Sequence, residues 1–203
     1  MKPTDNNTEQ VIIEAARQVF IEKGYAEANM SDIAVKAGIN RSGLHYYFRT
    51  KDRMFEAVAA DIVHSFLPDI HHIVLQDKPI AERISEIVDV YFNVIKQNPL
   101  IPAFAIKEIQ RDSTFLLNTI NKMNIGDYMN QIRNNLLNDM ENGKINRVPI
   151  EFVFYTLYGL LTFPFLSRPL TALMSFPADD DFERKMQEWK KQIVDQLCCL
   201  LCK

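Results

Sequence analysis

Residues 28–52, Ala-Asn-Met-Ser-Asp-Ile-Ala-Val-Lys-Ala-Gly-Ile-Asn-Arg-Ser-Gly-Leu-His-Tyr-Tyr-Phe-Arg-Thr-Lys-Asp, leave the chain little choice but to fold there as two short helices joined by a tight turn. Asn29 followed by Asp32 sets an N-cap side chain and an acidic third helical residue ahead of Ile33 and Ala34. This capping-box-like pattern starts a helix near Met30. Gly38 reaches positive φ without a Cβ penalty, small Ala34 lets two helices cross closely, and Asn40 caps the helix that follows. Along that second helix Leu44, Tyr47 and Phe48 fall on one side, and Arg41, Ser42, His45, Tyr46 and Arg49 on the other. One face packs and the other is free, which is the pattern of a helix-turn-helix, the motif that lays a short helix in the major groove of DNA.

The neighbouring segments complete a small helical core. Ile12, Ala16, Val19 and Phe20 recur at helical spacing in a helix that ends at Gly24, before Tyr25. Thr50 caps a further helix that opens with Lys51, and a lysine at a helix N-terminus suits a phosphate. Between Gln10 and Phe55 the chain resembles the DNA-binding head of the tetracycline-repressor (TetR) family of bacterial transcriptional regulators. The likeness rests on Ala15, Ala16, Phe20, Gly24, Tyr25, Asp32 to Ala34, Ala37 to Ile39, Leu44, Tyr46 to Phe48 and Lys51. It implies recognition-helix positions at Arg41, Ser42, Gly43, His45 and Tyr46, and a phosphate contact at Lys51. Two positions depart from the family pattern: Ser42-Gly43 stands where glycine then threonine is usual, and His45 where tyrosine is usual. Base preference therefore does not carry over. With Asn29 and Arg49, these residues are the candidate DNA contacts.

Charge is distributed as a DNA-binding head would need. Residues 36–53 hold five basic side chains and one acidic, whereas residues 54–203 hold fifteen basic and nineteen acidic. Polyphosphate is attracted to the head and repelled elsewhere, which disfavours a chain that coats nucleic acid without regard to sequence. With 203 residues, 47% of them apolar, and no alternating strand pattern, the expected class is all-α. A helix-turn-helix domain over residues 1–50 would precede a helical effector-binding and dimerisation domain over residues 51–203. The polar start Met-Lys-Pro-Thr-Asp-Asn-Asn lacks an apolar signal region, and the most apolar stretch, residues 150–166, is shorter than the roughly 20 residues a membrane span needs. A cytoplasmic protein without a membrane partner is expected. Phosphate loops, zinc-protease motifs and nucleophile elbows do not occur, so neither an enzyme nor a cofactor is expected.

After residue 50 the prolines and glycines divide the chain into helices near 51–75, 80–97, 100–110, 113–141, 149–166 and 181–200, with Pro68 as a kink and Pro177 as a break. Phe182, Met186, Trp189, Ile193, Leu197 and Leu200 form one stripe on the last helix, and the helix before it is apolar nearly all round. Part of this surface exceeds one subunit's needs, which points to a homodimer through Phe154, Tyr158, Leu161 and Phe165 together with Met186, Trp189, Ile193 and Leu197. The resemblance implies the same four-helix dimer bundle, with the helix after the head as the lever that sets the separation of two heads. A dimer also reads a pseudo-palindromic double-stranded operator, which one short recognition helix cannot.

For an apolar or aromatic small-molecule effector the middle helices offer Phe66, Phe92, Phe104 and Phe115, with Met123, Tyr128 and Tyr155, and Glu108 as a polar anchor. Glu108 is expected to pair with Lys107 or Arg111 at the surface, the other reading being a buried acid. His71 and His72 are adjacent, cannot share a helical face and match no metal spacing, so two solvated histidines and no metal are expected. Cys198, Cys199 and Cys202 read as helix filler rather than as a disulfide or metal site. The competing reading is a DNA-binding factor of the same fold whose body is packed solid and takes no effector.

Overall fold

The computed structural model describes residues 5–123, 125–173 and 182–203. Its elements are α1 Asp5–Glu27, α2 Met30–Lys36, α3 Arg41–Tyr47, α4 Lys51–His64, α5 Leu67–Leu75, α6 Ile80–Gln97, α7 Ile101–Arg111, α8 Ser113–Lys122, α9 Ile125–Glu141, α10 Ile150–Leu166, α11 Arg168–Leu173 and α12 Phe182–Leu201. Helices form two compact units: one from residues up to Ser65 together with Ala103–Ile125, the other from Phe66–Pro102 and Gly126–Lys203.

In the first unit α1 packs on α2 and α4, and α2 on α3. The expected positions Ile12, Ala16, Val19 and Phe20 are buried, with Ile33, Ala34, Leu44 and Phe55. Phe55 is the hub, edge-on to Phe20 at 5.4 Å and to Tyr25 at 5.3 Å, and tilted against Phe104 and Phe115. As expected, the first helical run of α1 ends at Gly24: at φ 76, ψ 168 it leaves helical geometry and turns the chain before a separate helical turn that closes at Glu27. The positive φ requires glycine there; a Cβ would also stand 2.8 Å from Lys107 Nζ, the flexible end of a side chain that can move aside.

The second unit is built on α12, which packs against α6 and α10. Ile84, Val88, Phe92, Leu161, Ile193 and Leu197 form its core. Pro164 lies inside α10 and has no N–H to give the Leu160 carbonyl one turn back. The Trp189 indole N–H replaces it, at 2.9 Å. Trp189→Phe therefore removes the donor while keeping an aromatic ring, and should lower stability by about 2 kcal/mol, read as a shifted denaturant midpoint at unchanged slope. At the other end of α12, Asn146 donates its N–H to Leu201 O at 2.8 Å and its side-chain amide to Cys202 O at 2.8 Å. These bonds satisfy carbonyls that have no helical partner.

Most expected boundaries hold to within a residue, and two do not. The helix expected over 51–75 is not kinked but divided, because Phe66 leaves the helical region at φ −140 and Pro68 sits in the first turn of α5, where its missing N–H costs nothing. The helix expected over 113–141 is also divided: α8 ends on Met123 and α9 opens at Ile125. The expected break at Pro177 and a helix start at Asp181 lie outside the described residues, as does the opening Met-Lys-Pro-Thr. No helix is long and apolar enough to cross a membrane among the described residues.

Candidate nucleic-acid interface

Three side-chain caps fix the recognition segment. Asn29 Oδ1 accepts from the N–H groups of Ser31 and Asp32, at 3.0 and 2.9 Å, while its amide donates to Asp32 at 2.9 Å. Both polar ends of Asn29 are thus engaged in capping α2, so its first role is structural. Asn40 accepts from Gly43 N at 2.7 Å and Thr50 from Arg53 N at 3.2 Å. Gly38, at φ 69, makes the turn between α2 and α3. On α3, Leu44 is fully buried, and Phe48, which follows the helix, is nearly so. Arg41, Ser42, His45, Tyr46 and Arg49 are all exposed, and Gly43 is half-buried. Tyr46 is 77% exposed, its ring edge-on to that of Tyr47 at 5.2 Å.

Lys51 is less free than its sequence position implies. Its ammonium donates to Ala26 O at 3.2 Å and lies 4.4 Å from the centre of the Tyr25 ring. Burial, and then the Arg111 charge, push its pKa below the ordinary lysine value. Arg111 sits 4.3 Å from the centre of that same ring. The Tyr25 hydroxyl donates to Asp52, and burial followed by this bond pushes the phenol up to about 12.

The expected surface pairing of Glu108 is overturned, since its side chain is fully buried. It accepts from Tyr25 N at 2.8 Å and from Arg111 Nε at 2.6 Å, while Lys107 donates to Lys23 O at 3.0 Å. The signal was present in the sequence: Phe104, Glu108, Arg111 and Phe115 recur at steps of four, three and four, so Glu108 falls on an inward stripe. Glu108→Leu should strand a buried N–H and the Arg111 charge, costing about 2–4 kcal/mol, whereas Glu108→Gln, which keeps the acceptor, should cost less. Thermal melts of the two variants, with DNA affinity alongside, check the order.

The eight candidate effector residues are not brought together. Phe104, Glu108 and Phe115 belong to the aromatic core around Phe55, and Met123 borders an open groove with Thr119 and Lys122. In the second unit Phe66 lies against Tyr91, Phe92 against Phe165 and Tyr128 against His71, while Tyr155 is 64% exposed. None of the eight lines the cavity of that unit, whose volume is about 190 Å³ and whose walls are mostly aliphatic, Ile84, Ile87, Leu136 and Leu157 among them. His71 is not merely solvated: its Nε2 lies 2.8 Å from Gln131 Oε1. Burial and a bond to Cys202 push the Cys198 thiol up to about 11, so it is no ready nucleophile.

The dimer candidates also divide. Leu161, Ile193 and Leu197 are buried within the chain's own core and have no surface left for a partner. The uncovered seam of α10 is instead Phe152, Tyr155, Gly159, Phe163 and Leu166, exposed at steps of three, four, four and three. Phe154, 52% exposed, flanks it and stacks on Tyr158 at 5.6 Å.

Residues 12–58 match the family model for bacterial regulatory proteins of the tetR family. The transcriptional regulator SrpR of Pseudomonas putida is 37% identical over 67 residues, 31% of this chain and 32% of that protein. TtgW, an uncharacterised regulator also from Pseudomonas putida, is 37% identical over 67 residues, 31% of this chain and 50% of its own length. The chain thus spans between a third and a half of these relatives. Over nearly its whole length, 93% against 96%, its fold superposes with a TM-score of 0.69 and 16% identity on the transcriptional regulator FadR of Bacillus subtilis in complex with stearoyl-CoA. Residues 12–58 thus form a head of the tetR family of bacterial regulatory proteins, and the chain as a whole shares the fold of FadR.

Proposed function

We propose that the chain is a homodimeric transcriptional repressor, acting in the cytoplasm, that reads a pseudo-palindromic operator and releases it on binding an apolar or aromatic small molecule. The observation that carries this reading is the recognition helix, anchored by buried Leu44 and presenting Arg41, Ser42, His45 and Tyr46 outward. In this reading Arg41, His45 and Tyr46 contact base edges, and Arg49 and Lys51 hold phosphates. The uncovered apolar seam on α10 supports a dimer, because five such positions in one line on a solvated helix are cover for another helix, and Gly159 at its centre allows close approach. The cavity of the second unit supports an effector over the rival with a solid body, and the stearoyl-CoA held by FadR is a precedent for an apolar one.

Release requires that the effector favour the dimer spacing that does not fit DNA by a few kcal/mol, since equal affinity for both states shifts nothing. The chain passes between its two units after Ser65, Pro102 and Ile125, so these three crossings carry the change. Phe163→Asp, on the exposed seam, should give a folded monomer in sedimentation and weaken operator binding by more than a hundredfold. A Phe163→Asp monomer that binds the operator as tightly as the parent protein would overturn the dimer reading.

A further inference from the structure

The cavity in the second unit has a one-sided charge. Arg83 and Arg133 are the charged side chains that line it, and no carboxylate does. Arg83 is buried, and its charge is answered behind the wall: it donates to Asp139 at 2.5 Å, to Asn135 at 3.1 Å and to Val74 O at 2.8 Å. Its Nε–H is left with no acceptor. Arg133 is different. It is exposed and also lines the cavity, so it stands where the cavity meets solvent, alongside Met129 and Phe154. Among the described residues no carboxylate pairs with it. The remaining polar group is the Tyr91 hydroxyl, whose phenol burial pushes up to about 12, so that it stays a neutral donor.

A bound molecule therefore meets donors and one uncompensated positive charge, in apolar surroundings where Coulomb interactions are stronger than in water. A cationic ligand would be repelled there, and an acceptor or anion attracted. Size sets the second limit. An engineered apolar cavity of about 150 Å³ binds benzene. By proportion, about 190 Å³ gives room for a body of roughly eight carbons, well short of an eighteen-carbon chain.

Resting on the reading of the chain as effector-controlled, we propose that this cavity is a site for a small organic monoacid, with an apolar body of about eight carbons inside and its carboxylate at the mouth beside Arg133. Long acyl chains and lipophilic cations are excluded by volume and by charge. Arg133 is the specificity residue, and Arg83, committed to Asp139, holds the wall in place.

Calorimetric titration of the full chain with octanoate, 1-octanol, octylammonium and stearate tests this, with parent protein and Arg133→Gln, and with operator affinity measured in parallel. Octanoate should bind at least tenfold more tightly than octylammonium or stearate. Arg133→Gln, a surface change, should lower octanoate affinity about tenfold and leave 1-octanol unchanged. Octylammonium binding as well as octanoate, octanoate binding indifferent to Arg133→Gln, or binding by none of the four probes each overturns the monoacid site. The parallel measurement separates this from the regulatory reading. Octanoate bound through Arg133 without loss of operator affinity leaves the monoacid site standing and removes its effector role. Operator release driven by octylammonium keeps an effector and removes the monoacid.

Discussion

Asp139→Ala should destabilise the second unit by about 3–5 kcal/mol. Asp139 and Arg83 meet at 2.5 Å with side chains 5% and 6% exposed, so truncating the acid leaves a guanidinium in the interior with no counter-charge. Coulomb attraction is not what makes the change severe. The pair's attraction largely offsets its own desolvation, whereas a lone buried charge keeps only the penalty. Lys144, 3.8 Å from Asp139, is itself a cation, so it offers Arg83 no counter-charge and would be left with Asp77 alone. The melting temperature should fall by roughly 10 °C. The double replacement Arg83→Met with Asp139→Leu should recover most of that loss, because it removes both desolvation penalties and fills the space. A double variant as unstable as Asp139→Ala would mean that the site needs its shape rather than its charges.

Arg41→Ala should weaken operator binding about a hundredfold and relax base preference at one position of each half-site. A well-placed arginine on a base edge contributes about 1–3 kcal/mol, and a two-fold dimer loses it twice. Arg41 is exposed on the first turn of α3 and is not engaged in holding the fold, so the loss should come without a change in melting temperature. Lys51→Ala should behave differently. A phosphate contact carries no sequence information, so affinity should fall alike on all sequences and the salt dependence should flatten by about one unit per subunit. If Lys51→Ala also lowers the melting temperature, its bond to Ala26 O and its contact with the Tyr25 ring account for the loss.

The head was legible because its signals are local. Asn29, Asn40 and Thr50 act within three residues of themselves, and Gly38 needs only its own φ, so the start of each short helix could be read from neighbours in the chain. The body was less legible, for three physical reasons. First, α10 is apolar on every side, so spacing cannot distinguish the face that meets α12 from the seam left exposed among the described residues. Spacing alone gives Leu161 to a partner, whereas it is core. Second, Glu108 has two cations within reach in sequence, which reads as a surface ion pair until the backbone N–H of Tyr25, distant in the chain, is found to need an acceptor. Third, a cavity is what side chains fail to fill. The aromatic residues that attract attention, Phe92 and Phe104 among them, are well packed, and the cavity is bounded by unremarked isoleucines and leucines.

The central claim is that α3 reads sequence. Fluorescence anisotropy at one fixed salt concentration, comparing the DNA fragment upstream of this chain's own gene with a shuffled fragment of equal length and composition, tests it most directly, because salt-dependent backbone attraction is then common to both. The account predicts at least a thousandfold preference for the upstream fragment, cut about a hundredfold in Arg41→Ala. Equal affinity for the upstream fragment and for shuffled DNA, indifferent to Arg41, would contradict it.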